Sequence, residues 1–150
     1  MKRKFVPWIG LIFLDLLFAG IGMGVPILNI FLGVLVGWVI VKKSNQAAQS
    51  GSLYRWIFSQ ALLTTGPMFL ILAVIWGSTV VLLFDPTTDF TNFGHPFILF
   101  DPRLSFIGWL VLMIFISPVL RLLTTVFASF LTLVVQERAQ KVRFKYLPYD

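Results

Sequence analysis

Residues 104–135 read LSFIGWLVLMIFISPVLRLLTTVFASFLTLVV, and this stretch decides what kind of protein the chain is. One charge, Arg121, falls inside it, and the one proline is Pro118. A helix rises 1.5 Å per residue, so ~20 apolar residues suffice to cross the hydrocarbon core of a bilayer. The stretch is longer than that, with room to tilt or to project into water.

Working outward, three more apolar segments precede it. The four helices are expected at about 5–20, 26–41, 54–84 and 104–136. The whole chain is 58% hydrophobic and 12% charged, with a mean hydropathy of +0.91. Ordinary globular chains are roughly 45–50% apolar and about 25% charged. A soluble domain of 150 residues has too much surface for its volume to hide that excess. The expected fold is therefore an all-α integral membrane protein, a four-transmembrane-helix bundle in a single domain over 1–150.

The first two segments are short and are joined by Gly20-Ile21-Gly22-Met23-Gly24-Val25-Pro26, a turn rich in helix breakers. Pro26 suits the first turn of the second helix, where its missing N–H costs nothing. The two form a tight hairpin, either fully crossing or re-entrant; ~16–20 residues nearly span, which favours crossing. The basic start, Met1-Lys2-Arg3-Lys4 before an apolar run, has the look of a signal peptide. Asp15 breaks that run and a second one follows at once, so a retained helix is expected.

The charges orient the bundle. Lys2, Arg3, Lys4, Lys42, Lys43, Arg55, Arg138, Lys141, Arg143 and Lys145 all fall on one side if the chain crosses four times. The other side has Arg103 alone, beside Asp85, Asp89 and Asp101. Cytoplasmic loops carry the excess of lysine and arginine, so both termini are expected in the cytoplasm of a multi-pass membrane protein. The same topology explains the net charge of +6 without nucleic acid. The tail over 137–150 is basic and aromatic, suited to anionic headgroups or a cytoplasmic partner.

The outer loop over 85–103 carries Asp85-Pro86 and Asp101-Pro102. Residues before proline are pushed away from helix, so the two pairs bracket the loop. Between them Phe97-Ile98-Leu99-Phe100 is apolar enough to rest on the membrane surface.

Ionisable residues inside a membrane span are costly and are the best functional pointers. Asp15 and Arg121 both lie near mid-bilayer by helical rise, and the expectation is that they pair in the bundle interior. Ser117, Arg121, Thr125, Ser129 and Thr132 recur at helical spacing and share one face, with Thr124 beside it. Such a face makes interhelical hydrogen bonds or lines a hydrophilic path; serine and threonine are common glue between membrane helices, which favours the first. Pro118 in the same helix is expected to kink it and free a carbonyl near residue 114. Gly33 and Gly37 match the small-xxx-small pattern for close helix packing, within the chain or in a dimer.

Trp8, Trp38, Trp56 and Trp109 fall near the expected interfaces, and Trp76 lies deeper. There are no cysteines and one histidine, His95, in the outer loop. No catalytic residues, cofactor-binding residues or metal ligands are assigned: the spacing of His95 and the loop aspartates demands no ion, and no intramembrane acid dyad or phosphate loop is present. The leading expectation is a non-enzymatic subunit or accessory component of a membrane assembly. Its partners are the bilayer and a membrane protein or further copies of itself, with no nucleic acid. The alternative is an oligomeric solute or ion transporter or channel with Asp15 and Arg121 as its polar centre; a lipid-modifying enzyme is a weaker third.

Overall fold

The computed structural model describes residues 9–10, 12–14, 16–17, 26–44, 53–96 and 99–145, and these contain helices, turns and no strand. The described residues of the first apolar segment are helical. Then follow α1 (Pro26–Ser44), α2 (Leu53–Gly77), a 3-10 helix (Ser78–Phe84), α3 (Pro102–Val111), a π-turn (Leu112–Ile116) and α4 (Ser117–Lys145). Two continuous helical runs, Leu53–Phe84 and Pro102–Val142, are long and apolar enough to cross a membrane, and Pro26–Lys42 is a shorter apolar helix.

Local chemistry sets several boundaries. α1 begins on Pro26 and ends on Ser44, and in its last turn Lys42 Nζ sits 4.6 Å from the centre of the Trp38 ring one turn back. Gly77 closes α2. Beyond it Ser78 Oγ donates to the Ile75 carbonyl (2.8 Å) and Thr79 Oγ1 to that of Trp76 (2.6 Å). Hydroxyls competing for carbonyls three residues back accompany the tighter winding that follows. α3 starts on Pro102, with Asp101 Oδ1 accepting from the amides of Arg103 (2.8 Å) and Leu104 (3.0 Å). This is an N-cap with proline at the first helical position.

Two details are added to the expected helices. A π-turn precedes Pro118, and the Ser117 amide reaches back to the Leu112 carbonyl. Proline offers no N–H for the normal ladder, and the wider turn accommodates the change before the ring. α4 also continues past 136 to Lys145. The residues there, Gln136-Glu137-Arg138-Ala139-Gln140-Lys141, are strong helix formers with a Glu137/Lys141 spacing of four. The helix outlasts the apolar run because nothing in the sequence stops it.

The packing order is legible from pairs of contacts. Tyr54 meets Phe130, Phe69 meets Phe115 and Trp76 meets Trp109, with ring centres 5.6, 6.1 and 6.3 Å apart. The α2 numbers rise as those of α3 and α4 fall, so α2 runs antiparallel to them. Asn29 faces Ser117, Gly33 faces Arg121 and Thr124, and Gly37 faces Thr125 and Ser129. Those numbers rise together: α1 and α4 are parallel. Val36, Ile40 and Ile57 form a buried cluster near one end, with Leu133 against it; Met68 and Leu72 form another nearer the opposite end, with Trp76 packed on them. This arrangement gathers Lys42, Arg55, Arg138 and Lys141 at one end of the bundle and Asp85, Asp89, Asp101 and Arg103 at the other.

Candidate functional site

Along the contact between α1 and α4 runs a buried polar seam. Asn29 (1% exposed) and Ser117, Arg121, Thr125 and Ser129 (each 0%) line it. The α4 members lie four residues apart and the α1 members, Asn29, Gly33 and Gly37, have the same spacing. Two parallel helices with matched rows meet residue against residue along the whole contact.

The glycines let the backbones touch. A Cβ on Gly37 would lie 2.6 Å from the Thr125 carbonyl oxygen and 2.9 Å from the Ala128 Cβ. One on Gly33 would lie 2.9 Å from the Arg121 carbonyl oxygen and collide with Thr124 Oγ1. Close approach of this kind is how helices associate where lipid removes the hydrophobic drive between them.

Hydrogen bonds then cross the seam. Asn29 Nδ2 donates to Ser117 Oγ at 2.6 Å, and Ser129 Oγ lies 3.3 Å from the Gly37 carbonyl while donating to that of Thr125 at 2.7 Å. Thr124 Oγ1 bonds the Leu120 and Arg121 carbonyls of its own helix (2.9 and 3.0 Å), and Thr132 Oγ1 the Ala128 carbonyl (2.7 Å). Arg121 is the largest fully buried side chain of the described residues. Asp15, its expected partner, lies outside the described residues.

The structure thus brings Arg121, Ser117, Thr125, Gly33 and Gly37 into one contact. It leaves Thr132 half-buried at the seam's edge. Asn29 adds to this contact a buried amide from the start of α1. Its signal was available, as an amide in an otherwise apolar helix. Chemically the seam offers hydrogen-bond donors and a cation held away from solvent, and it contains no nucleophile–base pair among the described residues.

The opposite site of interest is the loop over 85–101. Each of its aspartates serves a local turn. Asp85 Oδ1 accepts from Thr87 Oγ1 (2.7 Å) and the Thr87 amide (2.9 Å), and these bonds hold the carboxyl below its ordinary value. Asp89 is held low in the same way by the Asn92 side chain (2.7 Å) and the Thr91 amide (3.0 Å). Asp101 caps α3.

His95 is buried against Phe106, with Phe93 completing the cage; ring centres lie 5.4 Å (His95–Phe106), 6.2 Å (His95–Phe93) and 4.8 Å (Phe93–Phe106) apart. His95 Nε2 lies 3.1 Å from the Pro102 carbonyl, and since a carbonyl only accepts, Nε2 carries the proton. Ser105 Oγ donates to the Leu99 carbonyl and accepts from its amide, both at 2.8 Å. These bonds fasten the loop onto the start of α3. Among the described residues no group of three or more histidine, cysteine or acidic side chains is arranged to hold a metal ion.

No protein-family description matches the chain, and neither does any curated protein or solved structure. The functional reading therefore rests on the seam and on the surfaces around it.

Proposed function

We propose that the chain is a four-span membrane protein with both termini in the cytoplasm, acting as a small non-enzymatic subunit or accessory component of a membrane assembly. The closure of the α1–α4 seam carries this reading. Gly33 and Gly37 bring the backbones so close that the polar side chains bond helix to helix, which is structural use of polarity rather than the lining of a path. The orientation draws support from the packing: α1 parallel to α4 and antiparallel to α2 fits alternate crossings, with the basic ends facing the cytoplasm.

The partner argument comes from α2. Only 11% of the residues in the most apolar 18-residue window of the run Leu53–Phe84 are buried, leaving Phe58, Leu62, Leu63, Leu70 and Val74 of α2 to face lipid or another protein. Native mass spectrometry of the protein released from its own membrane in mild detergent tests this. A second polypeptide at fixed stoichiometry is the expected result.

The alternative reading, an oligomeric transporter or channel with Asp15 and Arg121 as its polar centre, draws on one observation. Arg121 is completely buried within a span that carries no other charge, a placement that often marks transport pathways. A homo-oligomer alone, together with loss of flux on Arg121→Ala in a protein that still folds, would favour it.

A further inference from the structure

A second site lies at the acidic end of the bundle. Where the 3-10 helix meets the loop, Leu83, Phe84, Asp85, Thr88, Phe90 and Arg103 line a cleft of about 320 Å³. Small-molecule sites run from ~300 to 1,000 Å³, so this cleft is the size of a compact polar group rather than of an entire lipid.

Its charges are arranged unusually. Arg103 donates to the Leu83 carbonyl, which fixes the guanidinium over the end of the 3-10 helix. The Asp85 carboxylate is engaged by Thr87. Among the described residues the two opposite charges line one cleft without forming an ion pair with each other. A guanidinium has five donors, so most of them remain available for an anion. Asp85 Oδ2 accepts none of the bonds described for that carboxylate. Phe84 and Phe90 add aromatic faces, which attract a cation.

The cleft also sits at a particular level. It lies where the long apolar run Leu53–Phe84 ends. Phe84 is 80% exposed, and Phe100 on the same loop is fully exposed. In a membrane-spanning chain the end of such an apolar run is the depth of the headgroups.

We infer that this cleft binds the headgroup of a zwitterionic aminophospholipid, its phosphate on Arg103 and its primary ammonium on Asp85 between Phe84 and Phe90. A primary ammonium donates hydrogen bonds to the carboxylate, which a choline cannot. An anionic lipid would satisfy Arg103 but place no cation on Asp85. The expected order of affinity is phosphatidylethanolamine, then phosphatidylcholine, then phosphatidylglycerol.

The inference rests on the membrane-spanning reading and is independent of whether the chain is a subunit. Recovery of the chain from the soluble fraction without detergent would overturn both; a membrane-bound chain without headgroup preference would overturn this inference alone. The test uses the full chain in mild detergent, with short-chain phosphatidylethanolamine, phosphatidylcholine and phosphatidylglycerol added at equal concentration and bound lipid counted by native mass spectrometry. Asp85→Asn keeps the acceptor that makes the Thr87 turn but removes the charge. It is expected to lower phosphatidylethanolamine binding about tenfold, the scale of one lost charge-assisted contact, down to the phosphatidylcholine level. Arg103→Gln is expected to weaken all three lipids. Equal binding of the three by the unmodified chain would overturn the assignment. So would an ethanolamine preference that survives Asp85→Asn, or displacement of the lipid by free phosphoethanolamine at equal concentration.

Discussion

α1 and α2 both lie against α4, yet they meet it in different ways. α2 reaches α4 through rings, Tyr54 on Phe130 and Phe69 on Phe115, and most of its surface stays uncovered. α1 reaches α4 through glycines and hydroxyls, and its Asn29, Leu32, Val36, Ile40 and Val41 are all buried. The most apolar window of the run containing α4 is 39% buried, against 11% for that of the run containing α2. Hydrophobicity does not explain the difference, because both runs are apolar. Lipid is as apolar as leucine, so large apolar side chains gain little by leaving it, whereas small residues admit close backbone packing and polar ones must find partners. At the α1–α4 contact, small and polar residues set how closely the backbones approach.

That contrast can be broken with single substitutions. The largest effect is expected at the seam. Gly37→Ala puts a methyl 2.6 Å from a backbone oxygen and should cost about 3 kcal/mol, the upper end for overpacking. The same change at Gly108, where a Cβ meets nothing within 4 Å, should stabilise α3 by ~0.5–1 kcal/mol through helix propensity. Thermal unfolding in one detergent compares the two. Equal effects at the two glycines would mean that the seam is not closely packed.

A smaller loss is expected at Ser117→Ala, which removes the acceptor of Asn29. Interhelical hydrogen bonds in membranes average about 0.6 kcal/mol and reach about 1.7, and the same unfolding measurement reads the loss. On α2, Val74→Ala at a position 75% exposed should change stability by no more than about 0.5 kcal/mol. If it nevertheless releases the partner polypeptide in native mass spectrometry, the uncovered face of α2 is the assembly surface.

The smallest effect is electrostatic and lies in the loop. Asp85 and Asp89 have folded values below the ordinary 3.8, so the stabilisation their turns provide is complete above that value. It is lost only as pH falls further, through the folded values. The amide resonances of Thr87 and Thr91 should therefore shift with a midpoint below 3.8. A midpoint above that value would contradict the turns.

Much of the helical layout was readable because apolar runs, proline and aspartate mark ends locally: Pro26 opens α1, and Asp101-Pro102 opens α3. The 3-10 and π segments were not, since Val80-Val81-Leu82 and Leu112-Met113-Ile114 are as apolar as the α-helix around them. Residues of the seam stood out because Arg121, Ser117 and Thr125 interrupt an apolar run at helical spacing. What they face was not readable: the four-residue pattern of Gly33 and Gly37 names no partner, and only the parallel register with α4 supplies one. The cage around His95 was hidden for a similar reason, as Phe93 and Phe106 come from a loop and a helix that only the fold brings together.

The proposed function requires the α1–α4 seam to be a closed structural contact and not a water path. Because the chain has no cysteines, Ser117→Cys, Thr125→Cys and Gln140→Cys can each be made as a lone thiol and exposed to a small water-soluble thiol reagent with both membrane faces accessible. A closed seam gives labelling at Gln140, which is exposed near the end of α4, and none at the two seam positions. Labelling at position 117 or 125 at a rate comparable to that at 140 would contradict it and make the seam a hydrated pathway.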